Sequence, residues 1–288
     1  MNIRKFPDYS HWEGRVDPSI FSAIDPLFLS IKSSDNYVLP DKDGKYTWGK
    51  PYDELNHEDS RFRENFDLGR DAGMLVQAWH FGRYDRPQES KAVIVQRNLD
   101  YFKSATEGRV LKGDVPVLDL EQSDSQLEAA KLKPMDIALM SKDMVELFEE
   151  EYETEVIIYT MKYFADRYLL VNDALIEFFS KRKLWIANPK KINANYELVW
   201  PLSKPAMPKG WPEYWAWQYT WNATFDRRSF DLNFIDATAN DIAALLPSQE
   251  GAVEPPLPPI EDNHEDVADA ITRMEKTISE IKTKYQLS

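Results

Sequence analysis

The segment DVPVLDLEQSD, residues 114–124, reads as a buried strand from Val115 to Leu120 that ends in acid, with two carboxylates, Asp119 and Glu121, at its exit. In a strand, residues i and i+2 face the same side, so Asp119 and Glu121 share one face and Leu120 takes the other. Two carboxylates this close in a partly dry site repel each other, and one keeps its proton near neutral pH. A protonated acid beside an ionised one is equipment for glycoside cleavage. One donates a proton to the leaving oxygen, and the other stabilises positive charge at the sugar carbon. The plainer alternative is an acidic strand exit that caps a helix or meets a surface lysine.

Two further acids join this pair if the strands close on themselves. Asp8 lies in FPDYSHWEG, on the first strand-like run, and Asp231 in FDLNFID, on the last. First and last strands are neighbours in a closed barrel, so Asp8, Asp119, Glu121 and Asp231 would meet at one mouth. Trp79, Tyr159, Trp185 and Trp217 sit at comparable strand ends. Their flat apolar faces with polar edges suit the walls of a sugar groove. His80 neighbours Trp79 on its strand and points the other way, as a packing histidine.

The elements that must position these groups are legible as alternating runs. Strand-like stretches occur at KFPDY, LFLSIK (27–32), MLVQAWHF (74–81), VPVLDLE, EVIIYT (155–160), KLWIAN (183–188), YWAWQYT (214–220) and DLNFI (231–235). RFRENFDLGRDAG reads as a helix with Gly73 near its end. PQESKAVIVQRNLDYFKSA spaces Ala92, Val95, Leu99 and Phe102 by three and four, and PMDIALMSKDMVELFEEEY does the same with Ile137, Met140, Met144 and Leu147. DATANDIAALL reads as a closing helix. Alternating strands and helices favour a parallel sheet, closed as a barrel or open and doubly wound; chemistry at strand C-terminal ends favours the barrel. The polar stretch 33–60 reads as a long loop, placed to close over a cleft.

Taken in order, these segments resemble the family-25 glycoside hydrolases, the Chalaropsis-type lysozymes of phage lysins and bacterial autolysins. DYSHWEG matches the family's D-V-S-x-W-Q-G-like opening, and SIKSSD its K-x-[ST]-like second strand. GRDAGMLVQAWHF matches G-x-x-x-G-x-Y-H-F, and VLDLE matches D-x-E. IIYT, LWIAN, WAWQYT and DLNFID follow in family order. The resemblance runs from about residue 3 to 246. It implies an irregular, flattened (β/α) TIM-like barrel of class α/β. It also implies hydrolysis of the β-1,4 bond between N-acetylmuramic acid and N-acetylglucosamine in peptidoglycan, with retention. Carried over by position, Glu121 is the general acid and then base, Asp119 braces the substrate's 2-acetamido group, and Asp8 and Asp231 support them. Trp79, Tyr159, Trp185, Trp217 and Gln218 are the expected substrate contacts. Whether the intermediate is an oxazolinium ion or a glycosyl-enzyme stays open. The chain departs from the pattern at Trp79, where the family has Tyr, and at Glu13, where it has Gln. Family-18 chitinases carry D-x-x-D-x-D-x-E; here Val117 stands at the second acid, which counts against them.

Composition narrows the partners. A net charge of −14 lacks the basic footprint of a nucleic-acid binder and does not favour an anionic membrane surface. No apolar run reaches the ~20 residues of a membrane span. Cysteine is absent and the four histidines show no metal spacing, so neither a metal nor another cofactor is expected. The N-terminus lacks an apolar signal region. The expected partner is bacterial peptidoglycan, reached from a host cytoplasm through a phage-made pore or from within a virion. The competing class is a non-catalytic wall-binding or virion structural protein on the same scaffold.

The composition changes at Pro247. A catalytic domain over 1–247 is therefore expected to lead into a Pro- and acid-rich linker, 248–265, and a helix, 266–288. In that helix Val267, Ile271, Met274, Ile278, Ile281 and Tyr285 alternate spacings of four and three, a short heptad seam. Such a helix is marginal alone. It is expected to pack on a second copy as a homo-oligomer, on the catalytic domain, or on a partner.

Overall fold

The computed structural model describes residues 3–35, 58–85, 89–189, 204–225 and 228–249. Eight strands close a barrel in chain order: β1 (Ile3–Tyr9), β2 (Leu29–Asp35), β3 (Val76–Phe81), β4 (Val117–Asp119), β5 (Ile157–Met161), β6 (Lys183–Ala187), β7 (Ala216–Phe225) and β8 (Arg228–Asp236). The helices between them are α1 (Ser19–Ile24), α2 (Phe62–Asp71), α3 (Lys91–Ala105), α4 (Asp124–Ala129), α5 (Pro134–Tyr152), α6 (Lys162–Phe164) with a π-helical turn at Ala165–Leu169, α7 (Asp173–Ser180) and α8 (Ala239–Ala243).

The α/β barrel expected from the sequence is present, with one departure from a parallel sheet. Strands β1 to β7 run parallel, but β8 is antiparallel to both β7 and β1. Two residues, 226 and 227, separate β7 from β8. A parallel return needs a crossover of a dozen or more, so so short a link enforces a hairpin.

Local chemistry accounts for the helix ends. Ser90 caps α3 by accepting from the Val93 N–H, and Asn172 caps α7 by accepting from Leu175. Pro134 occupies the first turn of α5, where its missing N–H costs nothing. Gly73, expected at the end of α2, takes a φ of +78° there. The start expected for α3 at the PQES segment is replaced by Lys91, one residue past the Ser90 cap.

Two apolar layers follow from strand alternation. Outward residues such as Leu118, Leu120 and Ile158 pack with Ile94, Leu99 and Phe102 of α3 and with Met140, Met144 and Phe148 of α5. Inward residues, among them Phe6, Phe28, Val117, Ile157 and Trp185, fill the barrel. Phe6 stacks on Phe28 at 4.2 Å and meets Trp185 edge-on at 5.1 Å.

The barrel domain extends past the expected start of the linker. Gln249 is buried and pairs with Val76 as a strand would: its Oε1 accepts from Val76 N–H at 2.9 Å and its Nε2 donates to Val76 O at 2.6 Å. The Ser248 N–H donates to Asp114 at 2.9 Å. The rest of the linker, the heptad helix at 266–288 and most of the loop at 33–60 lie outside the described residues. No helix among the described residues is long and apolar enough to cross a membrane.

Candidate active site

The antiparallel pairing of β1 with β8 puts Asp8 directly opposite Asp231. In β4, Asp119 stands between Phe81 of β3 and Tyr159 of β5. The chain leaves β4 at Asp119, but the alternation persists: Leu120 is buried in the outer layer, and Glu121 returns to the mouth. Asp8, Asp119, Glu121 and Asp231 thus line one cleft of about 250 Å³ at the C-terminal ends of the parallel strands, which the antiparallel β8 reaches with its N-terminal half. Asp119 lies deep, 2 % exposed, whereas Glu121 is half-buried.

Two amides hold the acids of β1 and β8. Asn233 Nδ2 donates to Asp8 Oδ2 at 2.6 Å, and its Oδ1 accepts from the Trp185 indole at 2.8 Å. Gln218 Nε2 donates to Asp8 at 3.2 Å and to Asp231 at 3.1 Å. Gln218 Oε1 accepts from Tyr159 Oη and from Trp221 Nε1, both at 2.8 Å. An indole N–H can only donate, so the oxygen of Gln218 must face Trp221 and the nitrogen must face the acids.

Burial pushes all four carboxyls up, and their mutual repulsion adds to it. Burial takes Asp8 to about 7, against the hydrogen bond from Asn233 and with repulsion from Glu13; the Gln218 bond also opposes it. Burial and then the charge of Asp8 take Glu121 to about 8. Asp231 goes to about 9 through burial, Asp8, Glu13 and Glu121. Asp119 is raised by burial and by Glu121, partly offset by Lys32 and Arg83. The hydrogen bonds on Asp8 favour negative charge there, and that charge helps keep the proton on Glu121.

Lys32 is a cation beside these acids. It is buried, pairs with Asp35 at 2.7 Å and lies 5.4 Å from the Trp79 ring centroid and 5.2 Å from that of Phe81. Burial would raise the Asp35 carboxyl, but Lys32 and Arg83 outweigh it and hold it below its ordinary value. Two buried polar atoms of the cleft residues have no hydrogen-bond partner among the described residues: Asp119 Oδ1 and Trp79 Nε1. Such atoms take their partner from water or from a bound group.

Of the residues expected at the site, Asp8, Asp119, Glu121, Asp231, Trp79, Tyr159, Trp185 and Gln218 all line the cleft. Trp217 does not. It is buried in the outer layer against Phe234 and Tyr214, with its indole donating to Asn188 O at 3.0 Å. Gln218 follows it in β7, and adjacent strand residues face opposite sides, so both cannot reach the mouth. His80 is fully buried between Ser34 Oγ at 2.8 Å and Asn98 Oδ1 at 2.9 Å, as a packing histidine. Lys32, Asn233, Trp12 and Trp221 escaped the sequence reading. Asn233 stands two positions from Asp231 on the same strand face, a signal present in the sequence.

A buried carboxyl sharing a cleft with a half-buried one, at the C-terminal mouth of an α/β barrel, is an arrangement suited to acid–base chemistry on a glycosidic bond. The family model for glycosyl hydrolases family 25 matches residues 8–227, and the chain belongs to that family. It is 24% identical over 218 residues to Lysozyme M1 of Streptomyces globisporus, a match covering 74% of this chain and 60% of that protein. The chain thus spans less than two thirds of that relative's length. The crystal structure of the bacterial lysozyme from Streptomyces coelicolor superposes with a TM-score of 0.61 at 21% identity, covering 85% of this chain and 98% of that one. The muramidase from Acremonium alcalophilum gives 0.59 at 20% identity, covering 85% and 99%. The catalytic domain of endolysin ply40 from Listeria monocytogenes bacteriophage P40 gives 0.55 at 16%, covering 84% and 98%.

Proposed function

We propose that the protein is an N-acetylmuramidase that cleaves the β-1,4 bond between N-acetylmuramic acid and N-acetylglucosamine in bacterial peptidoglycan, with retention. The observation that carries this reading is Glu121, half-buried and raised to about 8, sharing one cleft with the deep Asp119 in a family-25 chain. Glu121 gives its proton to the glycosidic oxygen as the C1–O bond breaks. The 2-acetamido oxygen of the same sugar closes on C1, and its N–H donates to Asp119 Oδ1. That bond favours the ionised form of Asp119, so substrate separates the proton affinities of the two acids. The Glu121 carboxylate then takes a proton from the water that attacks C1 and reopens the ring. Two inversions at C1 give net retention. Asp8 and Asp231, through their shared amide, keep the cleft's charge in place.

The test is the product. Purified peptidoglycan is digested, and the new reducing ends are identified by reduction and mass spectrometry. Reducing N-acetylmuramic acid, formed as the β-anomer by NMR before mutarotation, is expected. Reducing N-acetylglucosamine, or no cleavage, overturns the assignment. Similarity to endolysins motivates a phage lysin or virion-borne role for this chain.

A further inference from the structure

In an unbroken strand, residues three apart face opposite sides of the sheet. Lys32 and Asp35 are three apart in β2, yet their side chains meet at 2.7 Å, and Lys32 lines the cleft. The register against β3 explains this. Lys32 pairs with Trp79 and Ser34 with His80, so Ser33 is an extra residue, a β-bulge. The bulge turns Ser34 outward beside His80. It returns Asp35, which pairs with Phe81, to the face of Lys32.

Hydrogen bonds lock the bulge. Ser33 Oγ donates to Trp79 O at 2.9 Å, and the Asp59 N–H donates to Ser33 O at 2.9 Å. Ser34 Oγ meets His80 Nδ1 at 2.8 Å, and His80 Nε2 meets Asn98 Oδ1 at 2.9 Å. The Asn98 amide has one possible orientation. The Arg83 N–H can only donate, and it donates to Asn98 Oδ1 at 3.0 Å, while Asn98 Nδ2 donates to Arg83 O and Ile94 O. Asn98 therefore offers the ring an oxygen, and Nε2 carries a proton. In the neutral ring Nδ1 is then the acceptor for the Ser34 hydroxyl. The ring itself is fully buried, packed on Phe148 and edge-on to Phe102.

We propose that His80 is a positioning residue: anchored through Nε2 on Asn98, its Nδ1 fixes Ser34 and so the bulge that sets Asp35 beside Lys32 and holds the ammonium in the cleft. His80 touches no substrate and acts through Ser34 and the Lys32–Asp35 pair. Without the bulge, alternation would send Asp35 to the outer layer and leave Lys32 without its counter-ion. The consequence for catalysis rests on the muramidase reading, whereas the lock on the bulge does not.

The test follows the Glu121 carboxyl carbon by NMR titration of the full chain. Glu121 shares the cleft with Asp8, Glu13, Lys32, Asp119, Tyr159 and Asp231, and Lys32 lowers its proton affinity. His80→Gln keeps an amide near the Nε2 position but gives Ser34 no acceptor. It is expected to raise the proton affinity of Glu121 about two- to fivefold, moving the midpoint to higher pH. Ser34→Ala, the smaller change, is expected to do the same. His80→Asn places an amide oxygen where Nδ1 stood and is expected to keep the wild-type midpoint. On peptidoglycan the basic limb of kcat/KM should move in step. An unmoved midpoint in Ser34→Ala overturns the proposal, as does an equal shift in both His80 variants. Nitrogen NMR of the histidine rings adds a second check: a His80 ring with its proton on Nδ1 and none on Nε2 also overturns it. If the wild type leaves peptidoglycan intact, the muramidase reading fails by itself, and the carboxyl titration and the ring protonation still decide the role of His80.

Discussion

Asp8 and Asp231 stand opposite each other across the β1–β8 pair, and one amide nitrogen, Gln218 Nε2, donates to both carboxyls. Two acids in direct register would repel if both were ionised, and the shared donor is what lets them coexist. Gln218→Glu keeps the shape and the acceptor for Tyr159 and Trp221, but above its pKa it turns the donor into a further negative charge beside Asp8 and Asp231. We expect kcat/KM to fall by more than tenfold at pH 8. Partial recovery is expected at pH 5, where a protonated glutamic acid donates again. A loss of equal size at both pH values would show that the donor face of residue 218 is not what matters.

The acid assignment makes a prediction about pH. With Glu121 raised to about 8, it holds its proton below that pH and loses it above. The kcat/KM profile on peptidoglycan should therefore fall on its basic side near pH 8, well above the ordinary carboxyl range. Glu121→Gln keeps the shape and removes the transferable proton. Loss of about 10²–10⁴-fold in kcat is expected, with an unchanged circular dichroism spectrum. Comparable clearing by mutant and wild type would take the acid role from Glu121.

The same raised carboxyls set how stability varies with pH. Their folded pKa values exceed the unfolded ones, so the native state binds more protons between about pH 4 and pH 9. Stability is then greatest on the acid side of this window and declines as pH rises through it. Asp231→Asn removes one such group. It should raise Tm at pH 8 by a few degrees, about 2–4 °C per kcal/mol for a domain of this size, and by less at pH 5. A lowered Tm at pH 8 would contradict the burial argument for Asp231.

Much of this site was legible before any coordinates. Asp119 and Glu121 declare a shared face through their spacing of two, and the order of apolar runs declares eight strands. The direction of β8 depends on counting the two residues between it and β7, because both readings give the same apolar run. Trp217 and Gln218 expose the limit of motif matching: W-Q-Y-T fits the family, yet adjacent strand residues cannot share the cleft. Trp12, Trp221 and Lys32 were missed for a different reason. Exposure of a ring, or burial of a lysine between two others, depends on residues distant in the chain and has no local period.

Lys32 and Asp35 form a pair that is almost fully enclosed, at 2.7 Å. Removing one partner leaves a buried charge without compensation. Lys32→Met is expected to destabilise by about 3–5 kcal/mol, and the double variant Lys32→Met with Asp35→Asn by clearly less. Loss of the cation also removes an influence that lowers both Asp119 and Glu121, so the double variant should shift the kcat/KM profile upward in pH. Urea unfolding and the pH profile measure the two effects separately. Additive stability losses, with no shift in profile, would assign Lys32 to packing alone.

Trp79 replaces the tyrosine of the family pattern, and its indole N–H is buried without an acceptor among the described residues. An unpaired buried donor costs stability, about 1–3 kcal/mol, unless something that binds there accepts from it. An indole can only donate, so its partner on the substrate has to be an oxygen. Trp79→Phe keeps an aromatic ring and removes the donor. Activity and stability should then move in opposite directions: kcat/KM falls by about tenfold, while Tm holds or rises slightly. Trp79→Tyr supplies a hydroxyl that both donates and accepts, and should recover part of the lost rate. Should Trp79→Phe match the wild type on peptidoglycan, the N–H has no role in binding substrate, and the ring serves as wall alone.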